Sequence, residues 1–214
     1  MPLINSYFIY TQAESDLIAK KISEGFSHRD WGCEDLMPLR SRIREFYRAE
    51  QRGFCAYCMQ MLSLSAAANA QVEHVLPKSR HEAFIFDPRN LCVICADCNL
   101  QKRNNDVASG GEEQDTVGGQ VIIYPKSSER FLLVHPSIDI YEDHIVKRGH
   151  LYINKTKKGH FTIGLCNLNR YTEQFGYAPA VMDELELMQL LTAYANGTRQ
   201  EQGDVFRKLT QLLV

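Results

Sequence analysis

The sequence predicts an α+β protein: a small mixed core stapled by a four-cysteine zinc site, flanked by N-terminal helices and by a C-terminal region of short strands and helices. Three observations carry that prediction. Helical periodicity fills the chain before residue 54. Two Cys-x-x-Cys pairs, Cys55/Cys58 and Cys95/Cys98, then bracket a short, turn-rich stretch. Beyond them, short apolar runs give way to amphipathic helices. A chain of 214 residues, 44% of them hydrophobic, can bury a sizeable core. It has no run of about 18 apolar residues, so nothing in it is expected to span a membrane. Seven cysteines without a charged and then apolar leader predict a reducing cytoplasm, where thiolates hold metal, rather than a disulfide framework. The net charge of -2 argues against a protein that coats nucleic acid, yet residues 38–103 carry 10 Lys/Arg against 6 Asp/Glu. The basic balance sits around the cysteines.

In chain order, residues 14–26 place Leu17, Ile18, Ile22 and Phe26 at helical spacing, closed near Gly25. Residues 36–51 predict a second helix, with Leu39, Ile43, Phe46 and Tyr47 on one face and Arg40, Arg44 and Arg48 in a row on another. Such a row is ordinarily a solvated face; just before the first cysteine pair it becomes a candidate track for a polyanion. A strand is expected at residues 71–75, a tight loop at Pro77 and a short helix at 96–104. Residues 105–120, rich in glycine and acid, predict a flexible loop. Strands are then expected at 121–124, 131–134, 150–153 and 160–165, the last two as a hairpin joined through 155–159. Helices at 168–175, 180–195 and 204–213 end the chain, the last two broken by Asn196-Gly197. The predicted organisation is an N-terminal helical region (1–53), a zinc-stapled core (54–106), and a strand and helix region (107–214) that packs with the core as one unit.

A pair of cysteines two residues apart folds into a turn that aims both sulfurs at one point, so two pairs can close a tetrahedral zinc site. Between Cys58 and Cys95 lie 36 residues, so the zinc staples the ends of an inserted element rather than building a minimal finger. Cys92 makes an overlapping pair with Cys95 and remains an alternative ligand. Cys95 and Cys98 are favoured because Asn99 and Lys102 then continue on a helix whose first turn the metal anchors. Cys33 and Cys166, and Cys92 if it is not a ligand, read as buried apolar thiols. Structural zinc leaves Glu73, His74, Asn90, Asn99 and Lys102 unexplained. Phosphodiester hydrolysis needs a water, a base to deprotonate it and a cation to stabilise the developing charge. His74, with an ordinary pKa of about 6.5, can accept that proton. Glu73 is a natural anionic ligand for a hard cation and Asn99 a neutral oxygen donor; magnesium or manganese tolerates so sparse a shell because it keeps waters and takes phosphate oxygens. Adjacent strand residues point apart, so Glu73 and His74 can share a site only where one lies at a bend. Lys78, Lys102 and Arg103, with Arg44 and Arg48, are the candidate phosphate contacts.

At Cys55/Cys58, Glu73-His74, Pro77, Asn90-Leu91 and Cys95-Ala-Asp-Cys98-Asn99-Leu-Gln-Lys102, the chain resembles the HNH endonuclease superfamily with its ββα-metal core, over residues 40–105. The resemblance implies an endonuclease in which His74 is the general base, Asn90 holds the loop behind it, and Glu73 and Asn99 bind the catalytic cation. Some members carry histidine where this chain has Asn99; the amide oxygen is a harder ligand and favours magnesium or manganese over nickel or zinc. The stretches PLRSRIREFYRAEQRGFCAYC, EHVLPKS, HPSIDIYEDH and TIGLCNLNRYTEQF are similar to the PtuB-type HNH nucleases of Septu and retron-associated antiphage systems. That likeness implies a bacterial antiviral effector acting on DNA or RNA. Its implied partners are a PtuA-type ATPase and, in retron systems, a reverse transcriptase with its RNA-DNA product.

The remaining polar groups have plainer readings. His135-Pro136 and Asp143-His144 read as surface or cap contacts, and Lys155, Lys157, Lys158 and His160 as a solvated hairpin tip. Val181, Leu185, Met188 and Leu191, with Phe206, Leu209 and Leu213, mark helix faces expected in the core. The function of a different class that the residues also allow is a non-catalytic, zinc-stapled module that binds nucleic acid or a protein partner. Glu73, His74 and Asn99 discriminate, since a pure zinc scaffold has no use for them.

Overall fold

The computed structural model describes residues 1–109, 116–117, 120–176 and 179–212. Thr11 and Glu14 cap one another's backbone and start α1 (Gln12–Ser23), two residues before the stretch expected from sequence; the helix ends as Gly25 takes a φ of 87°. Two 3₁₀ turns, His28–Gly32 and Glu34–Leu36, lead into α2 (Met37–Glu50), which carries Pro38 in its first turn. Leu39, Ile43 and Tyr47, one turn apart, form its buried face.

Helix α2 packs on both strands of an antiparallel hairpin, β1 (Gln71–His74) and β2 (Leu91–Ile94), and α3 (Ala96–Lys102) packs on β1. The register sets Glu73 opposite Cys92 and His74 opposite Leu91. Strand β2 escaped the sequence reading because all four of its residues are buried, and an unbroken apolar run carries no alternation. Gln51, fully buried, ties the end of α2 to this core. Its amide donates to Phe54 O and Val93 O and accepts from Val93 N, each at 2.7 Å.

Beyond α3 lie the short strands β3 (Thr116–Val117) and β4 (Gln120–Val121), then α4 (Tyr141–His144) and a two-stranded sheet of β5 (Ile145–Arg148) and β6 (Leu151–Asn154). The hairpin therefore turns at Gly149, with φ 57°, and not at 155–159. Residues 160–165 are not a strand: they belong to α5 (Lys157–Leu165), started by Thr156, whose hydroxyl accepts from Gly159 N. A Cβ at Gly159 would lie 2.0 Å from His144 O, so this glycine is a close-packing requirement rather than a turn signal. The expected strand at 131–134 is reduced to a bridge between Ala108 and Phe131, and of 121–124 only Val121 is in a strand.

The chain divides into one unit of Met1–Val146 with Ile153–Leu168 and another of Lys147–Tyr152 with Asn169–Val214. The second holds α6 (Arg170–Phe175), α7 (Pro179–Asn196) and α8 (Arg199–Leu212), of which α7 and α8 pack together. Met188, Leu191 and Phe206, expected in the core, are exposed by 63%, 48% and 59%. The side chains of Val181, Leu185, Leu209 and Leu213 lie outside the described residues. No described helix is long and apolar enough to cross a membrane.

Candidate active site and zinc centre

The Cys55–Cys58 turn closes through Met59 N on Cys55 O at 3.0 Å, and Cys95 caps α3 by accepting from Cys98 N at 3.4 Å. Both turns point inward. The sulfurs of Cys55, Cys58, Cys95 and Cys98 all lie within 4.8 Å of one another, every one buried, with Cys58 and Cys95 at 3.7 Å. Four thiolates at about 2.3 Å from zinc stand roughly 3.8 Å apart, so the donor set and its size fit zinc. Cys95 N also donates to Cys55 Sγ at 3.4 Å, and the neighbouring thiols of Cys55, Cys58 and Cys98 hold Cys95 well below the ordinary thiol range. Cys92 is not in the cluster. It lies in β2 opposite Glu73, and burial pushes its thiol up, the behaviour of an apolar core cysteine.

Where β1 ends beside α3, a small polar cleft of about 70 Å³ opens, lined by Glu73, His74, Pro77, Lys78, Asn99, Arg103 and Asn104. Five candidate site residues, Glu73, His74, Lys78, Asn99 and Arg103, thus meet in one place. His74 is the last residue of β1, and the chain bends there; this is how neighbours on a strand come to line one cleft. Asn99 donates its amide to Gln71 Oε1, which leaves its oxygen as the atom suited to a cation.

His74 is held by two contacts, and burial sets its charge state. Its Nε2 lies 3.0 Å from Ile85 O, its ring meets Trp31 edge-on at 4.7 Å, and its pKa is pushed down to about 3, first by burial and then by Lys78. Asn90, fully buried, holds the loop that supplies the Ile85 carbonyl. It accepts from Leu76 N at 2.7 Å and donates to Leu76 O and Phe84 O at 3.1 and 3.0 Å. Tyr47 and Tyr124 in turn donate to Pro88 O and Arg89 O, clamping the turn that carries Asn90.

Lys102 departs from its sequence reading as a phosphate contact. It is fully buried, with its ammonium 2.5 Å from Glu73 Oε1 and 3.0 Å from His74 O, so it orients the site from behind. Arg44 and Arg48 are not among the residues lining the cleft. Trp31 was missed altogether; its one sequence signal is that it is the single tryptophan in the chain. The Ile85 carbonyl has no side-chain signature and could not be read from sequence.

A second polar cluster stands apart from the cleft. His135 and Lys158, read as surface groups, are instead tied into it: Lys158 donates to Ser128 O and Oγ at 2.9 Å and to the Asp139 carboxylate. His144 Nδ1 lies 2.7 Å from Thr156 Oγ1.

Residues 55–105 match the family model described as HNH endonuclease. Over 169 residues the chain is 22% identical to the Septu protein PtuB of Bacillus thuringiensis, a match that covers 75% of this chain and 57% of that protein's length. No solved structure matches the chain. Residues 55–105 are thus similar to the HNH endonuclease domain, on a chain similar to Septu PtuB over most of its length.

Proposed function

We propose that this chain is a metal-dependent endonuclease that hydrolyses phosphodiester bonds of DNA or RNA, serving as the effector nuclease of a bacterial antiphage system. One observation carries the reading: Glu73, His74 and Asn99 line a single cleft, with the imidazole fixed in one tautomer. A carbonyl only accepts, so His74 Nε2 donates its proton to Ile85 O and Nδ1 is left as the acceptor. That nitrogen takes the proton of the attacking water. With its pKa pushed down to about 3, His74 is neutral and ready at physiological pH; a phosphate arriving beside Lys78 offsets the cation that depresses it and strengthens the base as the step proceeds. Glu73, whose Oε1 is held by Lys102, would offer Oε2, together with the Asn99 oxygen, to magnesium or manganese, which supplies charge stabilisation to the phosphorane and leaving oxygen. Lys78 and Arg103 bind the substrate phosphate at the cleft. The four cysteines would hold a purely structural zinc.

The likeness to PtuB supports a defence role, with a PtuA-type ATPase as partner and, in a retron setting, a reverse transcriptase with its RNA-DNA product. A second reading, a non-catalytic binding module, draws on the Lys102 ammonium already engaged by Glu73. Incubating purified protein, with and without such an ATPase, on plasmid DNA and total RNA separates them. Cleavage that needs magnesium or manganese and vanishes in His74→Ala supports the nuclease. Binding of nucleic acid without cleavage, or cleavage that His74→Ala leaves untouched and that is therefore not made at this site, would move the binding module to the front.

A further inference from the structure

Arg40, Arg44 and Arg48 recur every fourth residue of α2, so they leave one face of the helix about 6 Å apart along its axis. Among the described residues none of the three is in an ion pair, and the Glu45 carboxylate acts on Arg44 only as the smallest of its influences. Arg42 pairs with Glu14 and Arg89 with Asp87, but among the described residues no carboxylate lies within ion-pair distance of these three. Neutral oxygens hold the outer two instead: Arg40 donates to Trp31 O at 2.8 Å and Cys33 O at 3.3 Å, and Arg48 to Ser63 O at 3.3 Å. Carbonyls fix the position of a guanidinium without cancelling its charge. Between them Arg44 is half-buried, with a buried Nε that has no hydrogen-bond partner. Burial, then Arg40 and Arg48, pull its guanidinium below the ordinary arginine range, the condition of a cation that an anion would relieve. One residue links the row to the candidate base: Trp31, whose carbonyl holds Arg40, is also the residue whose ring meets His74.

We propose that Arg44, flanked by Arg40 and Arg48, binds a phosphate of the nucleic-acid substrate away from the phosphate being cut. Three cations at one-turn intervals suit a repeating anion, whereas an isolated small anion would answer only one of them. A guanidinium can grip two oxygens of a single phosphate, and the outer arginines steer the phosphates on either side. The identity of this anion rests on the nuclease reading.

The test uses full-length His74→Ala protein, so that binding is read without cleavage. Its probes are a short fluorescein-labelled DNA duplex, the matching single strand and an RNA of the same sequence, titrated by anisotropy over a range of salt. Arg44→Ala is expected to weaken binding about tenfold at about 0.1 M salt and to lower the slope of log Kd against log salt by about one. Arg44→Lys, which keeps the charge and the packed stem but not the fork, should recover the slope while remaining weaker than the parent. Arg207→Ala, at an exposed arginine paired with Asp204 on α8, should change neither. Should Arg44→Ala lose its fold by circular dichroism, the lysine variant decides alone. Parental affinity and slope in the folded variants would overturn the proposal, as would failure of the parent to bind any probe. The two readings fail separately: Arg44-dependent binding by a protein that never cuts sinks the nuclease and leaves the phosphate site, and cutting with Arg44-independent binding sinks only the site.

Discussion

His74 and His135 are both buried, and both have a pKa pushed down to about 3 with burial as the leading cause, yet their surroundings differ in one decisive respect. Both ring nitrogens of His135 are engaged. Ser137 N donates to Nδ1 at 3.2 Å, so Nε2 donates to Tyr124 Oη at 2.8 Å, and Tyr124 passes its own proton to Arg89 O. His74 has one nitrogen committed to a carbonyl and none of the described residues bonded to the other, on a ring that lines a cleft with Glu73, Lys78 and Asn99. Burial and a depressed pKa alone therefore do not mark a catalytic histidine. What separates His74 is a spare acceptor on a ring that lines a polar cleft.

The comparison breaks most completely if the staple is removed. Because α3 leaves the cluster at Cys95 and Cys98 and carries Asn99 into the cleft, Cys58→Ser should give zinc-free or insoluble protein in which the cleft is lost; elemental analysis and solubility check it. Next in size, His74→Ala should cut cleavage by about 10²- to 10⁴-fold with zinc retained, whereas His135→Ala should leave the rate per folded molecule within a few-fold. Equal losses of rate would erase the distinction. The order reverses for stability. His135→Ala strands Tyr124 and Ser137 and leaves a cavity, so urea unfolding should show a loss of about 2–4 kcal/mol, more than for His74→Ala.

Metal dependence sharpens the division of roles inside the cleft. Glu73→Ala and Asn99→Ala should regain part of their activity in excess magnesium or manganese, because mass action compensates for a missing ligand. His74→Ala should regain none, because no cation supplies a proton acceptor. Smallest is the pH effect. Both histidines are neutral in the folded state down to about pH 3 but take a proton near 6.5 once unfolded, so the unfolded state binds more protons in that window and stability falls as pH drops through it. Each should contribute about 2 kcal/mol of loss between neutral pH and pH 5, and His135→Gln should remove about half of the slope in urea midpoint against pH.

Much of the site was legible in residue types and spacing: two cysteine pairs, an acid next to a histidine, and an amide just past the second pair. The four cysteines could be named because a two-residue spacing constrains both sulfurs locally. Glu73, His74 and Asn99 could be nominated, but not brought together, because their convergence depends on the β1–β2 register and on the bend after His74. Lys102 shows the limit most clearly. On a helix beside a basic cleft it reads as a phosphate contact, and only the packing of α3 on β1 turns it inward onto Glu73.

What the sequence by itself determined is local: the buried face of α2, the cysteine turns, and the short helix that Cys95 starts, all set by contacts within a few residues. Tertiary structure alone decided that Leu91–Ile94 is a strand, that Lys157–Leu165 is a helix fitted against His144 through Gly159, and that His135 is locked while His74 is left with a spare nitrogen. The physical reason is the same in each case. A continuous apolar run, a glycine and a histidine are each compatible with several local states, and the partner that selects one lies far along the chain.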